Sequence, residues 1–174
     1  KLAAYPRELA AAGLRKISSL VAAIFTANAG VGPTMADTGA LFNSTAISTA
    51  GGHANLTTGA GTPTVANLNT LTQKMMEQKG LNVTDGSALN LMPRFLVTCP
   101  ALRGTALQLV GSISDVSNSN ANAKNIWQNA LDVVVDAELG AAASGSDTAW
   151  YLAADSAEVD TIEYAFLQGM DSPI

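Results

Sequence analysis

Leu14, Ile17, Val21 and Ile24 recur at the three- and four-residue spacing of one helix face, and Leu20 and Phe25 widen the stripe. Pro6 suits the first turn of such a helix, where its fixed φ and missing N–H cost nothing. Glu8 lies near the positive end of the helix dipole. Asn28-Ala29-Gly30 and Gly32-Pro33 are stop signals, so the pattern predicts a long helix over about 6–28. The pattern then changes. From Gly30 to Pro63 the chain is dominated by Gly, Ala, Ser and Thr, with Leu41-Phe42, Ile47 and Leu56 as its strong apolar anchors. A loop of that length, 29–63, is usually functional or ordered by a partner, the alternative being a floppy surface insertion.

Thr64 caps a second predicted helix carrying Leu68, Leu71, Met75 and Met76, with Lys79 and Gly80 as its closing turn. Asp85-Gly86 marks a turn, and Phe95-Leu96-Val97-Thr98 reads as a short buried strand after Pro93. Pro100 opens a third helix whose Leu102, Ala106, Leu109 and Val110 face inward, ending near Gly111. The polar run 117–122 is a loop by composition. Leu131 to Leu139 alternates, with Val133 and Val135 on one side and Asp132, Val134, Asp136 and Glu138 on the other. Gly140 to Ser146 is a small-residue turn. Two strands, Trp150–Asp155 and Thr161–Gly169, close the chain across an acidic link. The fold class is α+β, without an internal repeat.

A length of 174 residues suits one domain, or two small lobes sharing a core. Hydrophobic residues make up 48% and charged residues 13%, against about a quarter charged in an average soluble chain. So sparse a charged surface implies large areas buried against partners. The net charge of −5 is unevenly spread. Lys1, Arg7, Arg15 and Lys16 make the start basic, whereas no Lys or Arg follows Lys124. Asp132, Asp136, Glu138, Asp147, Asp155, Glu158, Asp160, Glu163 and Asp171 all lie in that base-free part. It would repel phosphate, while basic and acidic ends together can dock neighbouring copies. The single Cys99 excludes an intrachain disulfide and suits a reducing compartment. No apolar run reaches the roughly 18 residues of a membrane span, and no signal-peptide pattern is present.

Chemistry finds little footing. His53 is the only histidine and Cys99 the only thiol, so a multi-histidine zinc site is excluded. A Cys99–His53 nucleophile pair, or a Ser with His53, would make a small hydrolase, although neither residue sits in a recognisable protease motif. Asp132, Asp136 and Glu138 share a predicted strand face, but alternate residues on a strand are roughly 7 Å apart, too far for one cation without a loop's help. There is no dinucleotide fingerprint and no phosphate loop. Trp127, Trp150, Tyr151, Tyr164 and Phe166 cluster late without interleaved bases, which suits a core better than a stacking platform for single strands. A sugar or cell-surface binding module on the late strands is a further alternative, and a protein without a long helix would favour it.

Four segments, in order, resemble the Mu-like phage major head protein family. Leu41-Phe42 with His53-Ala54-Asn55-Leu56 looks like that family's loop. Leu68 to Lys79, with Met75-Met76, is similar to its short helix. Phe95 to Leu102, with Ala106-Leu107, is similar to its strand-Pro-helix unit. Asn129 to Val135 and the closing Trp-Tyr-Leu and Leu-Gln-Gly strands complete the set. The stretch Asn43 to Gly52 looks like an insertion relative to the family. The chain also opens at Lys1 without Met and stops at Pro173-Ile174 where relatives continue, which leads us to expect a fragment, a processed product or an ordered core.

The resemblance implies a Hong Kong 97-type capsid fold. Residues 1–92 would hold a peripheral portion with the spine helix, and 93–174 an axial lobe of sheet and helix. It implies a major capsid protein of a tailed phage or prophage, without enzymatic activity, catalytic residues, metal or cofactor. Copies would join as pentamers and hexamers of an icosahedral shell in the virion, assembled in the bacterial host cytoplasm. Scaffold or portal proteins and non-specifically held double-stranded DNA would be further partners, with no membrane.

Overall fold

The structure is a computed structural model and describes residues 5–59, 61–80, 87–116, 118–120, 122–159, 162, 163 and 165. Helix α1 is Tyr5–Gly30, but Ala27, Asn28 and Ala29 leave helical φ/ψ, so the regular helix stops at Thr26. Asn28 and Ala29 take left-handed φ of 50° and 58°, and Asn28 Nδ2 donates to the Gly32 carbonyl at 2.9 Å. The local side-chain bond is what makes asparagine tolerable there.

Helix α2 is Val65–Met76, capped as expected by Thr64, whose hydroxyl accepts from the Asn67 N–H at 3.2 Å. It stops short of the expected Lys79-Gly80. The chain instead turns back, with Lys79 bridged to Ala88 and the Gln78 carbonyl accepting from the Leu89 N–H. Strand β1, Phe95–Thr98, is followed by a 3-10 turn, Pro100–Leu102, and helix α3, Arg103–Gly111. Strand β2 is Asp132–Val135 and strand β3 is Trp150–Ala153.

The three strands form a sheet in the order β2-β1-β3, parallel between β1 and β2 and antiparallel between β1 and β3. Register places Leu152, Leu96 and Val133 in one row and Tyr151, Val97 and Val134 in the next. Alternate side chains leave a strand on opposite faces, so these rows face opposite ways. The Leu96 row packs with Val65 and Leu68 of α2, Ala106 and Leu109 of α3, Trp127 and Leu131. Val97 and Tyr151 pack on the other side, with Ala22 and Phe25 of α1, Cys99, Leu102 and Leu139. The sheet is thus covered by α2 and α3 on one face and by the end of α1 on the other. Each fully buried leucine contributes about 2 kcal/mol by leaving water.

Two expectations are corrected, and the cover of α1 is defined. The stretch Leu131 to Leu139 is strand only over Asp132–Val135; Asp136 then caps a 3-10 turn, Ala137–Leu139, by accepting from the Glu138 N–H at 2.9 Å. The turn removes Glu138 from any strand face and drives Leu139 into the core. The helical stripe of α1 is not buried as a stripe: Leu14 and Leu20 lie exposed, and Ala22 is the fully buried residue. Finally, Arg7–Gly30 is long and apolar enough to cross a membrane by length and composition. Its many Ala, Ser and Gly residues keep it apolar without forming a run of large side chains. The Asp85-Gly86 turn, Tyr164, Phe166 and most of the strand Thr161–Gly169 lie outside the described residues.

Candidate functional site

The long loop, poor in large apolar residues, is held by polar side chains bonding to backbone. Asn43 is its hub. Its Nδ2 donates to the carbonyls of Ala40 (2.8 Å) and Gly51 (3.0 Å), and its Oδ1 accepts from the N–H groups of His53 (2.9 Å) and Thr45 (3.1 Å). Asn55 repeats the device, accepting from the Asn43 N–H at 3.0 Å and donating to the Leu41 carbonyl at 2.8 Å. Such bonds replace the ladder of a sheet where no apolar face exists to drive one. The glycines serve close approach: a Cβ on Gly39 would strike the Gly51 carbonyl, and one on Gly52 the Ala46 carbonyl.

His53 bridges two ends of this loop. Its Nδ1 lies 2.8 Å from the Ala40 carbonyl and its Nε2 lies 2.9 Å from Asp37 Oδ2. The Asn43 amide also lies 3.1 Å from Nδ1, so the ring is held from both sides. The hydrogen bond from His53, with a second from the Gly39 N–H, holds the Asp37 carboxyl below the usual carboxylate range. Helix α2 and the turn after it anchor the loop from outside: Lys74 Nζ, on the helix, donates to the Leu56 carbonyl at 3.0 Å, and Gln78 Nε2, just past its end, donates to the His53 carbonyl at 2.8 Å.

Phe42, Phe25 and Tyr151 join the loop to α1 and β3, with ring centroids 4.8 Å apart for Phe25–Tyr151 and 5.4 Å for Phe42–Tyr151. Burial, with the Cys99 thiol nearby, pushes the Tyr151 phenol up. Nothing in the linear pattern marked this three-way joint, because its members come from three separate elements. Beside it lies an open groove of about 930 Å³, lined by Phe42, Leu56, Leu71, Met75, Trp150 and Tyr151 among others. Lys74 also lines it, with its ammonium already bonded to Leu56 and Thr57.

The candidate nucleophile pair is not assembled. Cys99 is 0% exposed and packs with Ala22, Leu102 and Leu139, whereas His53 gives its ring nitrogens to Asp37 and Ala40. A thiol without solvent access meets no substrate. The acidic residues considered for a cation are also engaged separately. Asp132 pairs with Arg94 at 2.8 Å, and Asp136 accepts from the Ser18 hydroxyl at 3.0 Å as well as from its own turn. Among the described residues no group of three His, Cys, Asp or Glu side chains converges as a metal site would require.

What remains is surface. Leu9, Leu14 and Leu20 of α1 are more than half exposed, as is Ile126. No curated protein and no solved structure matches the chain. A family model described as phage capsid protein matches residues 1–174, the whole of the given sequence. The chain belongs to the phage capsid protein family.

Proposed function

We propose that this chain is the major head protein of a tailed phage or prophage, acting as the repeated subunit of an icosahedral shell around double-stranded DNA. The observation that carries the reading is the match to the capsid family along residues 1–174. A capsid subunit has a structural role, belongs to the virion and associates with other copies. The finer picture is the Hong Kong 97-type arrangement, with α1 as the spine of a peripheral portion, 1–92, and the sheet with α3 in an axial lobe, 93–174. The mixed architecture of helices around a small sheet is compatible with it. Pentamers and hexamers would then gather around the axial lobes, with scaffold or portal proteins as transient partners.

The work of such a subunit is contact rather than bond chemistry. Many modest interfaces repeated by symmetry give a stable shell from weak single contacts. The base-free stretch after Lys124 suits neighbours or solvent better than packaged DNA. The test is to express the chain and image the product by electron microscopy. Closed shells or five- and six-membered rings are expected. A product that stays monomeric at all concentrations and salt conditions would overturn the reading.

A further inference from the structure

Strand β3 stands at one edge of the sheet, paired with β1. The N–H groups of Asp132 and Asp136 donate to the carbonyls of Arg94 and Thr98, so alternate residues of β1 turn toward β2. Phe95 and Val97 therefore turn toward β3, where the register sets them opposite Ala153 and Tyr151. By the same alternation the N–H and C=O groups of Trp150 and Leu152 point outward. No hydrogen bond reaches them from the described residues.

Proteins ordinarily blunt such an edge with charge or proline. Strand β2, at the other edge, carries the exposed Asp132, whereas Trp150–Ala153 has neither device. The open groove follows this undefended edge: every residue from Trp150 to Ala154 lines it, with Leu56, Leu71 and Met75, and no residue of β2 does. Among the described residues that line it, Lys74 alone is charged. Its ammonium donates to the Leu56 carbonyl and the Thr57 hydroxyl, which leaves a third N–H for a ligand. An extended backbone matches the outward ladder groups, apolar side chains match the lining, and one carboxylate matches Lys74.

We propose that the groove beside β3 is a peptide-binding site, which takes an extended apolar segment with one carboxylate from a different protein as a fourth strand of the sheet. Backbone bonds to Trp150 and Leu152 supply the binding, and the carboxylate at Lys74 sets the direction of the segment. The site goes beyond the shell reading and does not depend on it.

The probe is a fluorescein-labelled peptide, Val-Glu-Val-Thr-Val-Ser, added to the full chain. Saturable binding by fluorescence anisotropy is expected, with the Trp150 and Leu152 amide resonances shifted and their exchange slowed. No saturable binding, or shifts at Val133 and Val135 instead, overturns the proposal. Of two copies of the peptide N-methylated on alternate sets of residues, one cannot complete the ladder and should bind about tenfold more weakly. Equal binding of both copies and the parent overturns strand addition, since the groove is then merely apolar. Gln in place of the peptide's Glu should weaken binding about fivefold in the wild type and leave it unchanged in a Lys74→Met variant whose fold is checked by circular dichroism. No loss in the wild type also overturns the proposal, whether or not that variant folds. Without peptide, the Trp150 and Leu152 amides should exchange faster than those of Tyr151 and Ala153. Protection that disappears on dilution would assign the edge to a second copy, and protection that survives dilution would assign it to the chain itself. Either result overturns the separate partner.

Discussion

In the sheet and its flanking helices, Leu68, Leu96 and Leu109 are fully buried, and each touches neighbours from several elements. In the loop between Val31 and Thr57, order comes from Asn43, His53 and Asn55 reaching backbone groups within about a dozen residues. The two regions reach a fixed backbone by different physics. Apolar burial is non-directional and spreads its effect over the whole core. Hydrogen-bond hubs concentrate theirs in a few atoms with strict geometry, so the loss of one side chain orphans several groups at once. A loop of this kind can hold a precise shape on the surface without adding to the core.

The largest expected effect tests the core. Leu96→Ala removes a side chain at the centre of the sheet and should lower global stability by about 3 kcal/mol, read by denaturant or thermal unfolding. A loss below about 1 kcal/mol would mean that the sheet is not the centre of the fold. Asn43→Ala should instead act locally. It strips both donors from Ala40 and Gly51 and the acceptor from Thr45 and His53. Roughly tenfold faster amide exchange is expected across 31–57, with the amides of β1 unchanged. Equal acceleration in both regions would erase the distinction between them.

Acid separates the regions by a gentler route. The Asp37 carboxyl is held below its ordinary value of 3.8 by the hydrogen bond from His53. Its contribution is therefore complete above that ordinary value and is lost as pH falls through the lower folded value. Acidification should loosen the loop, seen as a shift of the Gly39 amide resonance, before the core responds, and Asp37→Asn should abolish that step. The smallest effect belongs to Thr98→Val. The Thr98 hydroxyl is buried without a hydrogen-bond partner among the described residues. Replacing it by a methyl should raise stability by about 1 kcal/mol or less, measurable as a higher Tm.

Elements with their own local code were legible in the chain. The α1 periodicity, the Thr64 cap, Phe95–Thr98, the Pro100 start and the Trp150 strand all depend on residues within one or two turns of each other, and the structure has each of them. Where the linear pattern misled, a distant group had intervened. The alternation through Glu138 looked like strand, yet Asp136 found its own backbone and Ser18 instead. The Gly- and Ala-rich loop left open a floppy insertion, although Gly39 and Gly52 allow backbones to touch there.

Sequence alone determined the α+β class, the long amphipathic helix, the split of charge about Lys124 and a resemblance to phage head proteins. It could do so because spacing, capping and charge are properties of neighbours in the chain. Only the tertiary structure decided that Cys99 and His53 stay in separate environments and that Phe25, Phe42 and Tyr151 meet. It alone also decided which side of α1 faces the body. A helical stripe records that a face is apolar, but which part of it is covered depends on the surfaces folded against it. Here Ser18, Ala22 and Phe25 meet the body, and Leu9, Leu14 and Leu20 stay exposed.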